Sequence, residues 1–183
     1  MADVTHSSRS YVRFYRSRFG ATPCKGYQES TAASTAVIGF GQVVQFDQTD
    51  SAAHRIRRAS TAVGAAPFLG TNVVGVSASA STSDGSTTGL ANNSARQILV
   101  WEATAGVEFL FPTKVVIAST LVNTGLELSW DSTLSFHHVS ANSTAGDLTV
   151  RVTDVIPGTV GDTGGWLVGR FFSSVVAPSV SGV

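Results

Sequence analysis

Residues 147–158 read DLTVRVTDVIPG and contain the clearest two-residue alternation of the chain. Successive side chains of a β-strand point to opposite faces, so this stretch predicts a strand with one apolar and one polar face. The predicted inward side chains are Leu148, Val150, Val152 and Val155, and the predicted outward ones are Thr149, Arg151 and Thr153. Such a strand belongs to a sheet that lies on a core.

Similar short runs fill the last two thirds of the chain. They are GQVVQF (41–46), FLGTNVVGV (68–76), RQILVWEA (96–103), VEFLFPT (107–113), KVVIAS (114–119), LELSWD (126–131), LSFHHV (134–139) and WLVGRFF (166–172). Clusters of Gly, Asn, Asp, Ser and Thr separate them, which is typical of turns. The pattern predicts an all-β fold, an antiparallel β-barrel or sandwich of short strands.

Some local features of this body can also be predicted. The two apolar runs within 96–113 indicate a hairpin that turns through Thr104–Gly106. In LELSW the alternation places Leu126, Leu128 and Trp130 on one face. Residues 77–95 form a Ser-, Thr-, Gly- and Asn-rich loop, and a loop of this length is typical of a contact-making segment.

The charge divides the chain into two units. Residues 1–28 carry five basic and one acidic residue, a net +4, and the remainder carries −4, so the whole chain of 183 residues is neutral. We therefore predict an extended N-terminal arm over 1–40 and a β domain over 41–183. Only 13% of residues are charged, roughly half the usual share. A neutral, weakly charged protein has little repulsion between its copies, which favours self-association.

Several function classes are disfavoured by composition. Cys24 is alone, so the chain cannot form an internal disulfide or a cysteine zinc cage. The N-terminus lacks the apolar region of a secretory signal, and no apolar run is long enough to span a membrane, so we expect cytosolic synthesis without export. Nucleic acid is also not expected as a partner, because the body adds only Arg55, Arg57 and Arg58 to the basic arm.

One pattern resembles trypsin-like serine proteases. The run Ser-Ala-Ala-His ending at His54 is similar to their histidine box, and Gly-Asp-Thr-Gly-Gly at 161–165 is similar to their nucleophile loop. That chemistry needs a hydroxyl activated by a histidine that an acid orients, for which Asp84 and Asp131 are the candidates. Thr163 stands where the serine is expected, and its extra methyl crowds the attack path. We interpret the glycine-rich run as a tight turn.

Two further motifs are weaker than this one. Asp162-Thr163-Gly164 matches the short aspartic-protease signature, but the apolar strand that precedes that aspartate in the family is missing. His137 and His138 are adjacent, so in a strand they face opposite sides and cannot both bind one ion. We interpret them as half-buried strand histidines. The sequence thus predicts no catalytic residue, no metal site and no cofactor, and we expect no enzymatic activity.

A resemblance rests on the arrangement of strands. GQVVQFD (41–47), a basic strand, LGTNVVGV (69–76), GDLTVRV (146–152) and GWLVGRF (165–171) together resemble tailed-bacteriophage head-decoration (cement) proteins, over roughly 39–174. The chain departs from that family in its long arm and its larger second half. The resemblance implies a non-enzymatic virion protein that is made in the host cytoplasm and binds the major capsid protein on the outside of an icosahedral head. It also implies a homotrimer that stabilises the shell.

The arm then has a defined role. A docked body holds its arm near the shell at high effective concentration, so weak arm contacts add to a multivalent hold. We predict charge contacts and aromatic anchors at Arg9, Tyr11, Arg13, Phe14, Tyr15, Arg16, Arg18 and Phe19. A chain lacking 1–28 is expected to fold and to bind shells more weakly. The alternatives are that these residues cover the protein's own sheet, or that the protein is a minor shell or tail component, a glycan-binding sandwich or the hydrolase considered above.

Overall fold

The computed structural model describes residues 11–18, 20, 24–29, 38–47, 55–59, 72–80, 97–131, 136–140, 149–156, 160–161 and 164–177. The strands in these ranges are β1 (Arg13–Ser17), β2 (Cys24–Gln28), β3 (Val43–Phe46), β4 (Ile56–Arg58), β5 (Val73–Ser77), β6 (Gln97–Glu102), β7 (Val107–Pro112), β8 (Gly125–Asp131), β9 (Phe136–Ser140), β10 (Val150–Val155) and β11 (Trp166–Phe171). A single 3₁₀ turn, Ser119–Leu121, is the only helical element in this part of the chain.

The strands form two antiparallel sheets packed as a sandwich. The six-stranded sheet has the order β1-β7-β11-β10-β8-β9, and the five-stranded sheet has the order β2-β6-β5-β3-β4. The all-β prediction is confirmed, and of its two alternatives the structure has the sandwich; the described strands do not close into a barrel.

Aromatic rings fill the core under the six-stranded sheet. Phe109 and Phe111 of β7 and Phe171 of β11 contact each other with ring centroids 5.4–6.2 Å apart. Such edge-to-face pairs add to the free energy gained by burying the rings. Gly169 lies among them, where a Cβ would come within 2.7 Å of a methyl of Val150. The core is therefore packed tightly on this side.

Of the inward side chains predicted around β10, Val150, Val152 and Val155 are confirmed, and Leu148 lies outside the described residues. Val150 and Val152 are fully buried, and Val155 packs against the core after a register shift that follows Val152. The prediction that Thr149 faces outward is wrong, since this side chain is buried. Its N–H donates to the carbonyl of Leu126, and its own carbonyl accepts from Phe172, so it lies enclosed between neighbouring chain segments.

The predicted hairpin within 96–113 is wrong. β6 lies in the five-stranded sheet and β7 in the six-stranded sheet, so the turn at Thr104–Gly106 carries the chain from one sheet to the other. β6 is paired by β2 and β5 on its two edges, and β7 is paired by β1 and β11. With both edges of each strand occupied, β6 and β7 cannot also pair with each other.

The described part of the predicted arm contains two edge strands. β1 pairs with β7 and β2 pairs with β6, so each ends one sheet of the sandwich. Val12, just before β1, lies in the core, and its N–H donates to the carbonyl of Gly41. A deletion of 1–28 would remove both strands and this core residue, so it would disturb the fold as well as any surface contact.

Candidate contact surface on the first strand

The predicted contact residues fall into three groups. Arg13, Tyr15, Arg16 and Arg18 are exposed on or just after β1, and Tyr11 is half-buried before it. Phe14 is half-buried and packs against the hydrophobic core. Arg9 and Phe19 lie outside the described residues. We call the four exposed side chains the β1 surface.

Arg13 is held between two aromatic rings. Its guanidinium carbon lies 4.6 Å from the centroid of the Tyr11 ring and 4.8 Å from that of Trp166 on β11. The negative faces of the rings attract the cation, and stacking on two sides restricts its rotamers. The Arg13 charge is therefore presented in a fixed position at the surface, with little entropy left to lose on binding.

Arg16 and Arg18 share one buried carboxylate. Arg16 Nε donates to Glu108 Oε2 at 2.5 Å, and Arg18 Nη2 lies 3.9 Å from Oε1. The Glu108 side chain is 1% exposed, whereas those of Arg16 and Arg18 are 51% and 66% exposed. The hydrogen bond from Arg16 to Glu108 and the negative charge of that carboxylate raise the pKa of Arg16. Two arginines and one glutamate leave a single net positive charge here.

Replacing Glu108 with glutamine tests this anchorage. Glutamine keeps the shape of the side chain, and its amide oxygen could still accept a hydrogen bond from Arg16. Any loss of stability therefore reports the removal of the negative charge alone. Because both arginines are largely solvated, we expect the free energy of unfolding to fall by only about 1 kcal/mol. Urea unfolding in low salt measures this difference in free energy. A Glu108→Gln protein as stable as the parent would show that the carboxylate does not hold β1.

An aromatic cluster extends the β1 surface towards the other sheet. The Phe40 ring makes edge-to-face contacts with Tyr11 at 4.9 Å and with Trp101 of β6 at 5.6 Å, and Phe14 lies 6.1 Å from Trp101. Phe40 is 40% exposed. Sequence reasoning missed Phe40, Trp101, Trp166 and Glu108 as members of this region. Each is distant along the chain, and no local pattern links it to β1.

His137 and His138 belong to no cluster of metal-binding side chains among the described residues. His137 is fully buried, and both ring nitrogens are used: Nδ1 accepts from the Val43 N–H at 3.1 Å, and Nε2 bonds the Ala59 carbonyl at 3.0 Å. His138 is 6% exposed. Both are more deeply buried than the half-buried state that the sequence predicted. His137 is covered by Val43 and Ala59 of the other sheet, and next to His138 the strand β9 also contacts Thr113 through Val139.

Of the two candidate orienting acids, Asp131 lies among the described residues. Asp131 accepts a hydrogen bond from Lys114 Nζ at 2.6 Å at the surface. Cys24 is an exposed free thiol on β2. Within the described ranges no three His, Cys, Asp or Glu side chains come close enough to hold a metal ion. His54, Asp84, Asp162 and Thr163 lie outside those ranges, so the protease resemblance stays a hypothesis.

Comparisons with known proteins found no relative of this chain. No protein-family model, no curated protein and no solved structure matches the chain. Among the described residues, none of the helical segments has the length and apolar character needed to cross a bilayer.

Proposed function

We propose that the protein is a non-enzymatic virion structural protein that decorates the outside of an icosahedral bacteriophage head. In this proposal the partner is the major capsid protein, the protein acts as a homotrimer, and bound copies stabilise the shell. The observation that supports it best is the β1 surface, where three arginines and a tyrosine are exposed on or just after an edge strand of the sandwich.

The chemistry of the β1 surface suits adhesion. Arginine and tyrosine are enriched among the residues that dominate binding energy, because each combines a large contact area with hydrogen-bonding groups. Arg13 is already stacked and Arg16 is already bonded to Glu108, so binding an acidic surface costs little further ordering. The low charge of the rest of the chain permits close packing of copies around a symmetry axis.

Substitution on β1 tests the proposal without removing the strand. Arg13→Gln with Tyr15→Ser takes away one exposed cation and one exposed ring, and neither residue bonds a buried acid. The matched control is Lys25→Gln with Val160→Ser, a cation and an apolar side chain that are both exposed elsewhere. We expect binding to shells of the virus that carries this sequence to weaken at least tenfold for the β1 variant and to stay unchanged for the control, as measured by co-sedimentation.

The oligomeric state is a separate test. Light scattering should give three times the 19.0 kDa chain mass. Equal shell binding by the β1 variant and the parent would refute the contact surface, whereas a monomer that still binds shells would refute only the trimer. If no variant of the protein, nor the parent, binds shells, the decoration role itself is wrong and a tail or minor shell role is the next candidate.

A glycan-binding role has one structural observation in its favour. Phe40, Tyr11, Trp101 and Trp166 are aromatic side chains that all reach the surface in part. The Phe40 ring meets the rings of Tyr11 and Trp101 edge to face, so these three side chains do not present one flat platform for a sugar ring. A glycan array without hits would remove this second candidate.

A further inference from the structure

A cavity opens where β7 and β11 separate. These strands pair from Trp166↔Pro112 to Gly169↔Phe109, and the pairing stops there. Below that point β7 continues beside β1, while β11 continues beside β10. The space between them has a volume of about 310 Å³ and is lined by the turn 103–107, Arg151, Arg170, Phe171, Phe172 and Val176. That volume is at the small end of the range for small-molecule sites.

Two arginines face each other in the wall of this cavity. Arg151 of β10 and Arg170 of β11 are direct cross-strand partners. Like charges in directly opposed positions destabilise a sheet. The only side-chain bond of Arg151 with a described residue runs from Nη2 to Asn123 Oδ1 at 3.4 Å. Arg170 makes no hydrogen bond or ion pair with the described residues. The sheet therefore keeps a like-charged pair that its own acids do not neutralise.

The nearby carboxylates are otherwise engaged. Glu108 on β7 is held by Arg16 and Arg18 from the β1 side. Asp154, further along β10, accepts the N–H of Val155 at 2.8 Å. Neither forms an ion pair with Arg151 or Arg170, so the two guanidinium groups have no carboxylate partner among the described residues.

Asn123 acts as a positioning residue for Arg151. It has a φ of 68°, a left-handed conformation that is uncommon for any residue but glycine, although asparagine tolerates it best. Its N–H donates to the carbonyl of Val152 at 2.9 Å, which fixes the turn beside β10. The side-chain oxygen is thereby directed at Arg151, and it orients the guanidinium without neutralising its charge.

We propose that this cavity binds a carboxylate carried on an apolar group. A planar guanidinium matches a carboxylate with two parallel hydrogen bonds, and an apolar wall with few polar groups is typical of sites that hold the body of a small ligand. Arg151 and Arg170 would hold the anion, while Phe171, Phe172 and Val176 would contact its apolar part. The ligand could be a free organic acid or the C-terminal residue of a peptide, which share this chemistry. The inference is independent of the capsid proposal.

Calorimetric titration with paired probes tests the site. Benzoate represents a free acid and N-acetylphenylalanine a peptide terminus, and benzamide and N-acetylphenylalaninamide are their neutral counterparts. We expect at least one acid to bind with a dissociation constant of about 1 mM or tighter, at least tenfold tighter than its amide. Tighter binding of benzoate would indicate a free organic acid as the ligand, and tighter binding of N-acetylphenylalanine would indicate the C-terminal residue of a peptide. Binding should weaken as salt is added, because the attraction is between charges.

Variants separate a binding role from a structural one. Arg170→Gln should weaken binding of the better acid at least tenfold, whereas Lys25→Gln, which removes an exposed cation outside the cavity, should leave it unchanged. Without ligand, Arg170→Gln should melt at the parent temperature or above it, because the like-charge repulsion is relieved. Equal binding of acid and amide, unchanged binding by Arg170→Gln, or tighter binding of inorganic phosphate than of either acid would each overturn the proposal.

Discussion

Replacing Gly75 with alanine is expected to lower the free energy of unfolding by about 3 kcal/mol or more, since backbone strain and a steric clash act together. Gly75 has a φ of 159°, and an added Cβ would lie 2.0 Å from the Trp101 carbonyl oxygen and 3.0 Å from Glu102 Cα. Both are backbone atoms of β6, so relief of the clash requires β5 and β6 to separate. Because β5 lies between β6 and β3, the whole five-stranded sheet would be affected.

A matched glycine isolates the clash. Gly161 also has a positive φ, 92°, but an added Cβ there would meet no atom within 4 Å. Gly161→Ala should therefore cost only the conformational strain, about 1–2 kcal/mol. Urea unfolding followed by far-ultraviolet circular dichroism measures both variants. Equal losses for Gly75→Ala and Gly161→Ala would mean that β5 and β6 do not approach as closely as the structure has them.

The strands could be predicted because alternation is a local property. In β10 the inward valines follow from the sequence, and in β8 Leu126 and Leu128 are buried as the pattern indicated. The pattern failed at Thr149, whose burial depends on chain segments that come from elsewhere in the sequence. A small threonine can occupy an enclosed position if its backbone is bonded, and local periodicity carries no information about that.

The pairing of the strands could not be predicted, because strands that pair with each other are distant along the chain. The turn at Thr104–Gly106 has the same residue types whether it closes a hairpin or crosses between sheets. β1 pairs with a strand more than ninety residues away, and the bond from Arg16 to Glu108 spans 92 positions. For the candidate site, the sequence indicated which β1 residues are basic and aromatic. It could not indicate that Phe14 turns inward or that Glu108 neutralises part of the charge.

Acidification is expected to destabilise the fold through His137. This side chain of β9 bonds the N–H of Val43 on β3 and the carbonyl of Ala59 after β4, so it ties the two sheets together. The partners require a neutral ring with the proton on Nε2. Burial lowers the pKa of His137 to about 3; the bond to Ala59 opposes that shift, and the nearby charge of Arg58 adds to it.

The sign and size of the effect follow from that pKa. The folded-state pKa of about 3 lies below the ordinary pKa of 6.5. Below pH 6.5 the unfolded chain therefore binds a proton that the folded chain does not bind. Stability is complete above pH 6.5 and falls by about 1.4 kcal/mol per pH unit towards pH 3, on the order of 5 kcal/mol in all.

His137→Gln separates this titration from all others. Glutamine keeps a hydrogen-bonding amide but cannot take up a proton. At pH 7 the His137→Gln protein should be less stable than the parent, because the parent's imidazole already bonds both Val43 and Ala59. Titrating carboxylates contribute to both proteins alike and cancel in the difference. The gap in unfolding free energy, measured by urea unfolding at pH 7, 6, 5 and 4, should therefore narrow by about 1.4 kcal/mol per unit below pH 6. A constant gap would mean that His137 takes up a proton as readily in the folded protein as in the unfolded chain. That result would contradict the two backbone hydrogen bonds that its ring makes.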